Sequence, residues 1–325
     1  MTEPHDEGGG AQSMVSFQRL IAHNKRVSVL LFALTLALLG IMGASLGEYL
    51  DLGWKGGAGI AVVVAALYFL VAYNFGDSMV LAVSGAREIT HDEHPQLWNV
   101  VEEMSIAGGL PMPKVYIMDS DALNAFATGK DPQHASVAIT RGLLEKLNRE
   151  ELQGVMAHEM SHVRNYDIRF AMLMAVLVGV VVLLADVFRR SLFWGSLGGG
   201  RRRRGNDGGK GGAVLALVGV LFSIVAPLFA VLLQMAVSRK REYLADASAV
   251  ELTRNPQGLI SALRKLSTDD NKLVTASKAT QHLYIVNPFR KLGADSLFST
   301  HPSLESRIAA LRGLATGGEA PGSSE

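Results

Sequence analysis

Four long apolar stretches constrain what this chain can fold into. They span residues 27–47, 58–76, 170–188 and 213–237, and Asp186 is the only charged residue in them. A helix rises about 1.5 Å per residue and the apolar core of a bilayer is about 30 Å thick, so each stretch can cross a membrane. A chain of 325 residues has too little other surface to bury four such helices in a soluble core. We therefore predict a mainly α integral membrane protein with four hydrophobic helices.

Basic residues predict how the first two helices are oriented. Arg19, Lys25 and Arg26 precede the first stretch, whereas the connector 48–57 carries Lys55 and two acidic residues. Basic residues beside a membrane span are retained in the cytoplasm. We therefore expect the N-terminus and the segment after residue 77 to be cytoplasmic.

The polar remainder of the chain falls into two segments. Residues 78–169 and 238–315 are each short for a domain with an active site, so we predict that they form one split cytoplasmic domain. Residues 27–76 supply two transmembrane helices, and residues 170–237 supply a hydrophobic helical hairpin. The cytoplasmic N-terminus 1–26 and the tail 316–325 are expected to be disordered.

Composition limits the chemistry of the split domain. Basic and acidic residues nearly balance, 31 against 30, which argues against a nucleic-acid partner. Cysteine is absent, so any metal site must use histidine and carboxylate ligands.

The most specific signal in the sequence is the motif HEMSH at 158–162. Asn148 and Glu151 form a capping-box pattern before it, and apolar residues recur at helical spacing, which predicts a helix through the motif. Residues four apart share one face of a helix, so His158 and His162 can bind a single zinc ion. Glu159 lies one position round the helix, where its carboxylate can take a proton from water at the metal.

A third metal ligand is expected after the fourth apolar stretch. Glu242 and Asp246 are four residues apart in the segment REYLADA, and so they point from one helix face. One of them can bind the metal. The other can accept a hydrogen bond from the far ring nitrogen of a ligating histidine.

Together these motifs resemble those of the HtpX-type membrane zinc metallopeptidases, which are relatives of the Ste24 CAAX prenyl proteases. The likeness also includes LNAFATG at 123–129 and HPSLESRI at 301–308, and it covers nearly the whole chain. It implies a small α+β zincin-like catalytic domain with an active-site helix and a short β-sheet. It further implies one Zn²⁺ per chain, with His158, His162 and Glu242 as ligands, Glu159 as general base and Asp246 as a partner of a ligand.

The same resemblance implies an activity and a location. The expected enzyme is a zinc endopeptidase that cleaves damaged or misfolded membrane proteins in quality control and stress response. It would act at the cytoplasmic face of the bacterial plasma (inner) membrane. Its expected partners are unfolded polypeptides, membrane-protein substrates and the lipid bilayer.

Short strands are predicted at 114–118 and 136–140, with a third extended piece at 124–129. Zinc peptidases of this build hold the substrate backbone against an edge strand, so Asn124 is a candidate to bond the substrate main chain. A turn-forming asparagine is the plainer alternative. The helix expected at 257–266 is interpreted as scaffold.

Two residues of the segment HPSLESRI are candidates to stabilise the oxyanion that forms during peptide hydrolysis. His301 is a candidate catalytic residue, and Arg307 is a candidate substrate-binding residue. A capping histidine before Pro302 and a structural salt bridge of the arginine fit the sequence equally well.

The loop 189–212 is at odds with a simple crossing hairpin. It holds seven basic residues against Asp207 alone, a net charge of +6, and a crossing hairpin would place it outside the cell. The hairpin either crosses despite this charge or stays re-entrant. The loop itself is either a flexible solvated connection or a contact for anionic lipid.

Two other functions are compatible with these motifs. A CAAX-type prenyl-peptide protease would use the same zinc site, although four spans make the large enclosed chamber of those enzymes hard to build. A non-catalytic membrane chaperone or adaptor stabilised by zinc is the second alternative. A purely structural zinc site has no use for Glu159, which argues against it.

Overall fold

The computed structural model describes residues 52–172, 239–268, 283–285 and 302–315, together with a few isolated positions before residue 45. Most of the predicted helices at 27–47 and 170–188, all of 213–237 and the loop 189–212 lie outside the described residues.

The second apolar stretch forms one long helix, α1, Gly53–Val83. Its part Gly53–Val71 is long and apolar enough to cross a membrane, and only 6% of that window is buried. A core helix of a soluble protein would be mostly buried, whereas exposed apolar side chains suit a bilayer. The helix continues seven residues beyond the expected end at residue 76, and its last turns bury Val80 and Leu81 in the folded domain.

A four-stranded sheet follows, with the strand order β1-β2-β4-β3. Strand β2 pairs parallel with β4, whereas β1 and β3 pair antiparallel with their neighbours, so β3 lies at an edge. The three predicted strands are confirmed. Strand β1 was not predicted, because three residues are too few to show a period of two. The strands are β1 Ala86–Glu88, β2 Lys114–Met118, β3 Ala125–Gly129 and β4 Ala135–Thr140.

Besides a short 3-10 helix at Pro132–His134 and a helical segment that begins at Asp167, six further α-helices lie in the described parts of the chain. The helix predicted through HEMSH is present as α4, and it begins with the predicted capping box. Asn148 Oδ1 accepts from the Glu151 N–H at 2.9 Å, and Glu151 Oε2 accepts from the Asn148 N–H at 2.8 Å. The helices are α2 Pro95–Gly108, α3 Arg141–Lys146, α4 Arg149–Arg164, α5 Arg239–Thr253, α6 Pro256–Ser267 and α7 Leu304–Ala315.

Helix α4 is the central element of the domain. It packs against α2, α5, α6 and β3. Gly154 permits the close approach of α6, since a Cβ at this position would lie 2.7 Å from the backbone nitrogen of Leu259. One apolar core contains Val155 of the first polar segment together with Leu263 and Leu311 of the second. The two segments therefore build a common core, which brings α4 beside α5.

Candidate active site

The two motif histidines meet Glu242 between α4 and α5. The Nε2 atoms of His158 and His162 are 3.3 Å apart. The carboxylate oxygens of Glu242 lie 3.7 Å from His158 Nε2 and 3.8 Å from His162 Nε2. Ligand atoms at about 2.05 Å from a tetrahedral ion are about 3.3 Å from one another. The three side chains can therefore hold one metal ion, and their ligand atoms all lie within 4.8 Å of one another.

The buried charges around these ligands also fit a divalent cation. In the described part of the chain, four carboxylates and two arginines are buried at the site. Both histidines must be neutral to bind a metal, and in that state the six groups leave two negative charges, which one divalent cation would balance. A net charge is costly to bury, so this balance favours a bound metal. The six residues are Glu159, Asp167, Glu242, Asp246, Arg241 and Arg307.

His158 is the more deeply buried of the two histidines, with a side chain that is 1% exposed. Its Nδ1 lies 3.0 Å from Asp246 Oδ1. Burial lowers the pKa of His158 to about 4, so its ring is neutral at pH 7 and has a lone pair for a metal. Burial opposes ionisation of Asp246, but Arg307 outweighs it and lowers the pKa of that carboxyl.

His162 contacts Asp167, which in turn pairs with Arg241, and no sequence pattern had indicated either residue. Asp167 Oδ2 lies 3.2 Å from His162 Nδ1, and Arg241 Nη1 lies 3.6 Å from Asp167 Oδ1. Burial by itself would lower the pKa of His162, but Asp167 and the neighbouring glutamates raise it to about 9. Without a metal this ring therefore carries a proton at pH 7, and metal binding releases it. The sequence signal was proximity alone, since Asp167 follows the motif by five residues and Arg241 directly precedes Glu242.

Glu159 is buried in the wall of the same cleft. The backbone N–H of Ala127 on β3 donates a hydrogen bond to its carboxylate. Burial raises the pKa of Glu159 to about 7. A carboxyl group that gains and loses a proton near neutral pH is suited to general acid–base chemistry.

The cleft beside the ligands has a partly apolar wall, formed by Phe170, Leu283 and Ile285. Residues 283–285 lie along the outer edge of β3, where the Ile285 N–H donates to the Ala125 carbonyl at 3.0 Å. Tyr284 is buried edge-on against the ring of Phe126, with 5.2 Å between ring centroids. This short segment therefore connects the sheet edge to the cleft.

The candidate substrate-contacting residues occupy different places. Asn124 is buried, and its Oδ1 accepts from the Ala125 N–H at 3.1 Å. Arg307 is fully buried and binds both oxygens of Asp246, with Nη2 2.6 Å from Oδ1 and Nε 2.8 Å from Oδ2. Both side chains thus bond to the scaffold of the site. His301 lies outside the described residues.

Comparison with known proteins agrees with this arrangement. The model of peptidase family M48 matches residues 91–315, which contain both histidines and Glu242. The chain belongs to peptidase family M48. A protease HtpX homolog of Ligilactobacillus salivarius is 48% identical over 288 residues, covering 89% of this chain and 96% of that protein. A protease HtpX homolog of Listeria monocytogenes is 44% identical over 299 residues, covering 90% and 98%.

The crystal structure of S. mikatae Ste24p is also similar, with 20% identity and a TM-score of 0.49, and the match covers 88% of this chain and 66% of that one. The M48 match and the HtpX relatives confirm the predicted resemblance. This M48 protein is therefore a membrane metallopeptidase, with a cluster of two histidines and one glutamate that is able to bind the metal.

Proposed function

We propose that this M48 peptidase is a zinc-dependent endopeptidase that cleaves damaged or misfolded membrane proteins at the cytoplasmic face of the bacterial plasma membrane. The observation that carries the proposal is the spacing of three ligand atoms, on His158, His162 and Glu242, with Glu159 in the same cleft. Two imidazoles, one carboxylate and an open fourth position are typical of catalytic zinc.

We assign the chemical roles by position. Zinc bound at these ligands would supply a Lewis acid for the scissile carbonyl and make water a nucleophile at neutral pH. Glu159 takes the proton from the attacking water and delivers it to the leaving amine. The Ala127 N–H holds the Glu159 carboxylate in place. Asp246 accepts the hydrogen bond of His158 Nδ1, and Arg307 and Asn124 support the site from within the scaffold.

The edge strand β3 supports an extended substrate. The Thr140 N–H donates to the Asn124 carbonyl, so by the alternation of a strand residues 125 and 127 direct their backbone groups outwards. The Ala125 carbonyl accepts from Ile285, and the Ala127 N–H donates to Glu159. The Ala127 carbonyl is the outward group beside Glu159, and we assign it to the substrate backbone by β-strand addition.

The position of the cleft supports membrane proteins as substrates. Val80 and Leu81 of α1 pack in one cluster with Tyr284 of the cleft wall. Along the helix, Val80 lies about 14 Å beyond Val71, the last residue of the apolar window. The cleft wall at Tyr284 therefore lies close to the end of the apolar window, so a segment drawn out of the bilayer would reach the cleft over a short distance.

We further propose that the stretches 27–47, 170–188 and 213–237 are helices, so that four hydrophobic helices form the membrane base. The basic loop 189–212 would then contact anionic lipid headgroups. The chain lacks cysteine, so a single cysteine placed at Gly199 can be labelled with an impermeant maleimide from either side. Labelling from outside supports a crossing hairpin, and protection from outside rules it out.

The function is tested by comparing wild type with Glu159→Gln in liposomes that contain an unfolded membrane protein. Glutamine keeps the shape of glutamate but cannot accept the proton, so we expect cleavage to fall about 10²–10⁴-fold. Zinc content should stay at one per chain. Glu150→Gln is the matched control, because Glu150 is exposed on the same helix, and it should cleave at the wild-type rate.

Two outcomes would contradict the proposal. Cleavage by Glu159→Gln at the wild-type rate would refute the assigned mechanism. A zinc-loaded wild type that protects unfolded membrane proteins without cutting them would favour the zinc-stabilised chaperone.

A further inference from the structure

Each motif histidine has its own carboxylate at the ring nitrogen that faces away from the ligand cluster. Asp246 Oδ1 lies 3.0 Å from His158 Nδ1, and Asp167 Oδ2 lies 3.2 Å from His162 Nδ1. Each carboxylate is in turn paired with a buried arginine, Arg307 for Asp246 and Arg241 for Asp167. The site therefore contains the same three-part arrangement twice, although the carboxylate comes from α5 in one copy and from just after α4 in the other.

Asp167 reaches His162 because the chain turns sharply after α4. Five residues along a continuous helix rotate a side chain by about 500°, which would leave Asp167 about 140° away from the His162 face. Instead α4 ends at Arg164, Tyr166 adopts a left-handed φ of 59°, and a new helical segment begins at Asp167. A tyrosine in this conformation costs about 1–2 kcal/mol. A strained turn next to a buried ion pair indicates that the position of Asp167 matters.

Arg241 holds Asp167 from the other polar segment of the chain. Its guanidinium lies over the ring of Phe170, 4.3 Å from the centroid, and its Nη1 faces Asp167 Oδ1 at 3.6 Å. Arg241 directly precedes Glu242 on α5. The ion pair thus connects the helix that carries the third ligand to the turn that follows the two histidines.

We propose that Asp167 and Arg241 are positioning residues of the metal centre. Asp167 accepts the hydrogen bond of His162 Nδ1–H and thereby keeps the Nε2 lone pair directed at the metal, and Arg241 keeps Asp167 in place. This inference rests on the proposed role of His162 as a ligand. Loss of such an outer hydrogen bond commonly weakens metal binding about 10–100-fold.

The test measures the zinc dissociation constant of the full chain in detergent, by competition with a chelator. Asp167→Asn keeps the size of the side chain and removes its charge, so we expect the Kd to rise about 10–100-fold. The visible absorption of the cobalt-substituted protein should change as well, because the ligand field at His162 changes. Asp92→Asn is the matched control: Asp92 lies 3.3 Å from His91 Nδ1 but is 99% exposed, and its variant should keep the wild-type Kd and spectrum.

A second variant tests whether Arg241 acts through Asp167. Arg241→Gln should weaken zinc binding, and adding it to Asp167→Asn should cause no further loss. An Asp167→Asn protein with a Kd within about twofold of wild type, or additive effects in the double variant, would overturn the proposal. Should Asp167→Asn fail to fold, Arg241→Gln alone takes its place, because glutamine removes the positive charge that pairs with Asp167. An unchanged Kd in that variant would also overturn the proposal.

Failure of the proposed function would give a different result. A wild-type chain that binds no zinc, or a Glu242→Ala variant that binds it as tightly as wild type, would refute the metal site itself. If the wild type binds zinc and the Asp167 and Arg241 variants bind it with the wild-type Kd, the positioning role is refuted and the metal site stands.

Discussion

The two ends of helix α4 both bury charged side chains, but only one end is balanced by the protein itself. At the N-terminal end, Glu151 accepts hydrogen bonds from the Asn148 N–H, from Ser261 Oγ and from Lys265 Nζ, the last two at 2.6 Å. At the C-terminal half, buried carboxylates exceed arginines by two around His158 and His162. The N-terminal end therefore stabilises the fold, whereas the C-terminal half is arranged to receive a cation.

The largest effect is expected from removing a ligand at the C-terminal half. Glu242→Ala should abolish stoichiometric zinc binding and lower the cleavage rate by about 10³-fold or more, since several kcal/mol of transition-state stabilisation are lost. The metal-free protein should change little in stability, because removal of an excess negative charge offsets the loss of the Glu242–Arg307 ion pair, whose atoms lie 3.4 Å apart. Metal analysis, cleavage rates and thermal unfolding of the metal-free form check these three expectations. A Glu242→Ala variant that still binds one zinc and cleaves at a tenth of the wild-type rate would contradict the claim that the C-terminal half of α4 is arranged to receive a cation.

An intermediate effect is expected from Gly154→Ala, between the two ends of α4. Alanine favours a helix over glycine by about 1 kcal/mol, but here its Cβ would meet the backbone of Leu259 at 2.7 Å. Overpacking against a rigid backbone should outweigh the gain in helix propensity and destabilise the fold by about 1–3 kcal/mol. Gly313→Ala on α7 is the control, because the added Cβ would have no neighbour within 4 Å. This variant should raise the stability of the fold. Chemical unfolding in detergent measures both, and a Gly154→Ala protein more stable than wild type would refute the close approach.

The smallest effect is expected from Glu151→Gln at the N-terminal end, about 1–2 kcal/mol of folding stability without loss of zinc. Burial opposes ionisation of Glu151, but Lys265, Ser261 and the Asn148 N–H outweigh it and lower the pKa of the carboxyl. A lowered folded-state pKa adds stability above the unfolded-state pKa of about 4.3, and this stability is lost as the pH falls through the lower value. The stability difference between wild type and variant should therefore be largest near pH 7 and shrink below about pH 4. A difference that does not vary with pH would show that Glu151 acts by shape alone.

Features that depend on neighbours in sequence could be predicted. The capping box of Asn148 and Glu151 and the shared face of His158 and His162 follow from helical spacing, and the structure contains both. Strand β2 was predicted at its observed bounds, because its apolar residues lie between clear turn signals.

Features that depend on an unusual turn or a distant partner could not be predicted. Nothing local indicates that Tyr166 takes a left-handed conformation, so closeness in sequence was the one signal for the contact of Asp167 with His162. Arg241 lies in a basic cluster beside an apolar stretch, where a positive charge is expected for other reasons. The pairing of Arg307 with Asp246 joins residues 61 positions apart, and spacing alone cannot choose such a partner.

The central claim is that one zinc ion lies between α4 and α5, held by residues from both polar segments. Anomalous X-ray scattering at the zinc edge, from crystals of the full-length Glu159→Gln chain, tests it most directly. We expect a single peak about 2.0–2.2 Å from Nε2 of His158, from Nε2 of His162 and from one carboxylate oxygen of Glu242. A peak with other ligands, or crystals of zinc-loaded protein with no peak at this position, would contradict it.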